Sequence, residues 1–167
     1  DLAVHGRILH TQAGAPMEDG LVVIQGGKIT AVGPASALTI PTGMTTLEAG
    51  VVIPGLVDAH CCLGLAGALN YAHDRDELER SSALQPELRA IDAYNPREPL
   101  LEWARSFGVT TIHTGHAPGA VISGQTMIAK TRGETLDEAV LQPLAMVAAA
   151  VGEGAVDGED KGQPGTR

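Results

Sequence analysis

The sequence predicts an α/β chain in which a small β-sandwich-like domain, residues 1–50, precedes strand and helix units over residues 51–151 and a polar tail over 152–167. Three observations carry that expectation. Short apolar runs separated by Gly-rich turns fill the first third of the chain. A β-branched run at 51–57 lacks polar alternation, as expected for a strand covered on both faces in a parallel sheet. A second run, Val109–Thr114, comes after a helix-like segment, and strand, helix, strand is the order of a right-handed parallel unit.

In the first domain the runs are residues 2–9, 21–25 and 28–32. Gly26-Gly27 between the last two is a hairpin signal, because both residues can take positive φ. Residues 45–47 supply a further strand, and several short strands joined by tight turns predict a small sandwich or meander. His5 and His10 belong to this domain and are not expected to be ligands.

Pro54-Gly55 bends the central run, which ends in Asp58-Ala59-His60-Cys61-Cys62. Strict alternation puts Asp58, His60 and Cys62 on one strand face. A small-residue loop comes next at 64–70, and His73-Asp74-Arg75-Asp76 reads as a solvated loop. Asn95-Pro96-Arg97-Glu98 reads as a helix start, with Asn95 as cap and Glu98 three residues on, although Pro99 also suits a first turn. Leu100, Trp103, Ala104 and Phe107 then form the packed face, and Gly108 stops the helix. His113 and His116 lie at the end of the next strand and in the Gly-rich loop after it. Residues 125–131 are expected as another strand, with Lys130 structural or exposed, and Thr135 with Glu138 fits a capping box. Beyond Pro143 an Ala-rich helix is expected over 144–151, and from Gly152 apolar periodicity ends in a flexible loop.

Length and composition narrow the function classes. At 167 residues the chain can bury one core, but it is too short for an eight-stranded barrel of roughly 250 residues. A net charge of −9 argues against nucleic-acid or anionic-membrane partners. No apolar run reaches the roughly 18 to 20 residues of a membrane span, and no signal-type segment opens the chain, so a soluble, cytoplasmic protein is expected. Aromatic residues make up only 2 %, which leaves the core to aliphatic side chains and close backbone packing. The two cysteines are adjacent, a spacing that strains a disulfide.

The stretch Pro54-Gly55-Leu56-Val57-Asp58-Ala59-His60-Cys61-Cys62 resembles the first barrel strand of the amidohydrolase superfamily, whose pattern is Pro-Gly-x-x-Asp-x-His-x-His. Cys62 stands where that pattern has its second histidine. Gly20 to Pro34 is typical of the β-rich domain preceding the barrel in that family, and residues 108–131 with Pro164-Gly165-Thr166-Arg167 resemble imidazolonepropionase-like bacterial members. The resemblance implies the start of a (β/α)8 TIM-type barrel, incomplete in this chain, and hence a fragment of a longer hydrolase that would be inactive alone. It also implies a divalent metal, most often zinc, that activates water against carbon–nitrogen bonds of amides or cyclic amides.

His60 would be a metal ligand and Asp58 a hydrogen-bonding support for the ligand or strand end. Cys62 would be either a thiolate ligand or a small buried residue with the metal site lost. His113 and His116 would be neighbours of the site. The remaining ligands and general base would come from later strands. The implied partner is a small-molecule substrate, and exposed strand edges are expected to favour homo-oligomers. A non-catalytic relative, serving as a binding or structural module, is the alternative.

Overall fold

The computed structural model describes residues 1–69 and 71–155, so most of the tail expected from Gly152 lies outside the described residues. The chain divides into two compact units, Asp1–Pro54 and Gly55–Arg167. Among the described residues no helix is long and apolar enough to cross a membrane.

In the first unit β1 (Leu2–Leu9), β2 (Met17–Gln25), β3 (Lys28–Pro34) and β4 (Thr45–Val52) form one sheet in the order β3-β2-β1-β4. The β2–β3 turn is Gly26-Gly27, with φ of 57° and 74°, as the hairpin signal predicts. β1 pairs antiparallel with β2 and parallel with β4, in continuous register from Leu2 to Leu9 on both sides. The described residues give this unit a single sheet in place of the expected sandwich. Its core is small: Ala3, Leu21 and Val23 are covered by partly buried Ala35, Leu38 and Met44 from the connection to β4.

That sheet also claims the start of the central apolar run. Val51 and Val52 pair with Ile8 and Leu9, and His10 N donates to Val52 O at 2.9 Å. The run expected at 51–57 is therefore two strands belonging to two units, separated where Pro54 lacks a backbone donor. The expectation of burial on both faces fails as well, with Leu56 48 % and Val57 66 % exposed, because their strand lies at a sheet edge.

The second unit holds β5 (Leu56–Cys61), α1 (Ala90–Ala93), α2 (Pro99–Ser106), β6 (Val109–Thr114), β7 (Ile122–Gln125), β8 (Met127–Lys130), α3 (Leu136–Ala139), β9 (Val140–Gln142) and β10 (Val147–Ala149). Its main sheet runs β5-β6-β8-β9, and β7 pairs separately with β10. β5 and β6 are parallel with α2 between them, as predicted, but β8 and β9 are antiparallel additions. The core gathers Leu65, Tyr94, Leu101, Ile112, Met127 and Ala129.

Three sequence expectations are corrected here. α2 begins at Pro99, which shifts its packed face to Leu101 and Ala104 and leaves Trp103 and Phe107 mostly exposed, stacked edge-to-face at 5.1 Å. The strand expected over 125–131 breaks at Thr126, whose backbone N donates to Met146 O and whose carbonyl accepts from Ala145 N, both at 2.8 Å. The helix expected over 144–151 is absent: Val147 to Ala149 pair with β7, so tertiary hydrogen bonding outweighs the helical preference of alanine. The capping box holds, with Thr135 Oγ1 accepting from Glu138 N at 3.4 Å.

Candidate functional site

The site predicted from the motif depends on how β5 lies against β6. Asp58 pairs with Ile112 and Cys61 with Thr114, so three steps on β5 match two on β6. One extra residue is a bulge, and it reverses the facing of everything beyond it. Asp58 thereby joins the face of Cys61, while His60 and Cys62 stay together on the other. The expected common face of Asp58, His60 and Cys62 is corrected on this ground. Electrostatics agree, because the Asp58 charge acts to raise the pKa of Cys61.

Two of the predicted residues stabilise the bulge. Asp58 Oδ1 accepts from His60 N at 3.1 Å, so the carboxylate supports the strand end through the backbone. Ala59 O accepts from His113 Nδ1 at 2.9 Å, and His113 Nε2 lies 2.6 Å from Thr126 Oγ1. A carbonyl can only accept, so Nδ1 carries the proton and Nε2 can accept from the threonine hydroxyl. His113 thus joins β5 to the break between β7 and β8, with both nitrogens committed. The His60 ring is exposed at the end of β5.

Cys62 is half-buried, and its thiol is pushed up to about 11, first by burial and then by Cys61, Glu77 and Glu98. A thiolate ligand would have to form against that field. Cys61 is also raised by burial and packs into the core. His116 is 6 % exposed in the loop after β6, where its neighbour Gly115 N donates to Cys61 O at 3.2 Å. His73, 78 % exposed, stays in the solvated loop predicted for it. Lys130 Nζ donates to Thr111 Oγ1 at 2.8 Å, the structural role expected.

Residues read from the sequence only as a helix start shape the turn after β5. Glu98 is 4 % exposed, and Gly64 N donates to its Oε2 in a short contact. Asn95 N donates to Gly64 O at 2.8 Å. The Asn-Pro-Arg-Glu segment read as a helix cap therefore anchors the turn immediately after the motif strand. Glu98 is raised above the usual carboxylate range by burial, with the backbone N–H groups of Gly64 and Gly67 acting against the rise. Glu98 Oε1, Glu77 Oε2 and the Tyr94 hydroxyl lack hydrogen-bond partners among the described residues. Their only sequence signal was the turn-dense setting of Glu98 between two prolines.

Among the described residues no group of three or more His, Cys, Asp or Glu side chains is arranged to hold a metal ion.

The fold is similar to that of a solved amidohydrolase. An amidohydrolase from Thermotoga maritima MSB8 matches with a TM-score of 0.82 at 24 % identity, over 92 % of this chain and 40 % of that one. At that identity the likeness is one of fold, and the chain spans about 40 % of the length of that relative. A. niger ochratoxinase also matches, at 25 % identity and a TM-score of 0.35, over 42 % of this chain and 17 % of that one, too little to carry an argument. No protein-family model matches the sequence, nor does any curated protein.

Proposed function

We propose that this chain is part of an imidazolonepropionase-like hydrolase acting on non-peptide carbon–nitrogen bonds of amides or cyclic amides, with a small-molecule substrate. The observation that carries this reading is the amidohydrolase fold over nearly the whole chain, with the Pro54 to Cys62 motif on the strand where His60 is exposed. In this reading β5 and β6, parallel and joined through α2, are the first two strands of a (β/α)8 barrel. The cofactor is a divalent metal, zinc by the resemblance. His60 is the ligand this chain contributes, and the other ligands and the general base come from elsewhere in the longer protein. Asp58 and His113 support the strand end that carries His60.

Cys62 in place of the second motif histidine, with its thiol pushed up by burial, favours a second reading, in which the metal site has been lost and the fold serves as a binding or structural module. Metal content separates the two. Zinc that co-purifies with the full-length protein and is lost in His60→Ala supports the hydrolase. Folded, metal-free wild-type protein supports the module.

A further inference from the structure

The arginines of the second unit are held in different ways. Arg75 lies 2.5 Å from Glu77, and Arg89 donates twice to Asp92, so the charge of each is met by a carboxylate. Arg97, Arg105 and Arg132 are held otherwise. Arg97 Nε donates to the backbone carbonyl of Glu134 at 3.1 Å, while its Nη2 stands 3.7 Å from Glu134 Oε2, beyond hydrogen-bonding distance. Arg105 donates to Thr131 O in a short contact. Arg132 makes no hydrogen bond or ion pair among the described residues.

These three arginines line one groove of about 500 Å³ between α2 and the residues that follow β8. Its wall is fixed by backbone. Thr131 N donates to Thr110 O at 3.2 Å and Thr131 Oγ1 to Val109 O at 2.8 Å, which ties this stretch to β6, and Glu134 N donates to Glu138 Oε2 at 2.8 Å. Gly133, at φ +110°, lets the chain pass close to α3, where an added Cβ would lie 3.0 Å from Ala139 N. The carbonyls of Thr131 and Glu134 therefore orient Arg105 and Arg97 without cancelling their charge. A guanidinium carries more N–H donors than one carbonyl takes, so each keeps donors to offer.

Against the three arginines the groove sets two exposed carboxylates, Glu102 and Glu134. Glu98, the remaining acid of the wall, is 4 % exposed and has one oxygen on Gly64 N. In a chain of net charge −9, a groove with more arginines than exposed carboxylates is a local reversal of sign. Arginine forks match the oxygens of a phosphate group, and an excess of donors selects an anion with several acceptors.

We propose that this groove binds a phosphate group, free or carried by a small molecule, through Arg97, Arg105 and Arg132. The site lies within the second unit and does not depend on the hydrolase reading. The test is a titration of the full chain at pH 7 and constant ionic strength with inorganic phosphate and with ethyl phosphate, and with chloride as comparison. It is followed through the backbone amides of Arg132 and Gly133 and the Nε–H resonances of the three arginines. Saturable shifts with phosphate and none with chloride are expected. Tighter binding of ethyl phosphate marks a phosphorylated molecule as the occupant, and tighter binding of inorganic phosphate marks the free ion. Arg132→Gln, at an exposed position with no hydrogen bond to lose, weakens binding about tenfold or more. Glu134→Gln removes an opposing charge and strengthens it. No saturable shift in the wild type, an equal response to chloride, wild-type affinity in Arg132→Gln, or binding by Glu134→Gln no tighter than wild type overturns the proposal.

Discussion

In the first unit β1 keeps register with both neighbours from Leu2 to Leu9, whereas in the second unit β5 gains a residue on β6 between Asp58 and Cys61. Both strands are short and flanked by turns. They differ in how the pairing is held. The ladder of β1 with its two neighbours runs without a register shift, while the bulged pair is joined by side chains, Asp58 on His60 N and His113 on Ala59 O. A bulge next to a proposed site re-aims side chains, and here it separates Asp58 from His60 and Cys62. Polar residues that look like ligands in a regular strand become the supports of an irregular one.

The comparison can be broken most strongly through the cores. Ile112→Ala empties a fully buried position of the second unit and should cost about 2 to 5 kcal/mol. Hydrogen exchange under urea should show the loss at β6 and β8 and leave β1 and β2 protected. Equal loss in both units would mean that they unfold together.

Replacing His113 by Leu should cost about 0.5 to 1.5 kcal/mol, since it removes the hydrogen bond to the exposed Ala59 carbonyl. His113→Asn, which retains an N–H donor, should recover part of this. Identical midpoints for the Leu and Asn variants in urea denaturation would show that the hydrogen bond does not hold the bulge. A smaller effect is expected at Thr135→Ala, where losing the α3 cap costs about 0.5 to 1 kcal/mol. No change in the exchange of the Glu138 amide would contradict it.

A side-chain device of the first unit depends on pH. His5 Nδ1 lies 2.6 Å from Glu48 and Nε2 2.7 Å from Asp19, tying β4 and β2 across β1. Two carboxylates can be met only by a ring protonated at both nitrogens, and the hydrogen bonds to Asp19 and then Glu48 raise the His5 pKa. Arg7 and Glu18 line the same groove. With the folded value above the unfolded one, the stabilisation is complete below about pH 6.5 and is lost as pH rises through the raised value. His5→Gln should flatten the pH dependence of unfolding in this unit. An unchanged pH profile in that variant would rule the device out.

Much of the fold was legible where local chemistry decides it. Gly26-Gly27 marks its hairpin, and Thr135 with Glu138 marks α3, because turn geometry and capping act within a few residues. What was not legible depends on distant partners. Val51 and Val52 joined the first sheet because Ile8 and Leu9 were available to pair, and residues 147–149 became a strand because β7 offered a ladder. At the candidate site the strand carrying His60 could be read from the strand pattern. The bulge could not, because it is a relation between two strands that a single strand's alternation does not contain. Glu98 was read as the capping-box residue three positions after Asn95 because its actual partner, Gly64 N, lies 34 residues away.

The bulge and its histidine partner are the centre of this account, and nitrogen NMR of the His113 ring tests them most directly. The proton is expected on Nδ1, in slow exchange and coupled through the hydrogen bond to the Ala59 carbonyl, with Nε2 as acceptor. A ring protonated at Nε2 alone, without coupling to Ala59, would contradict the account.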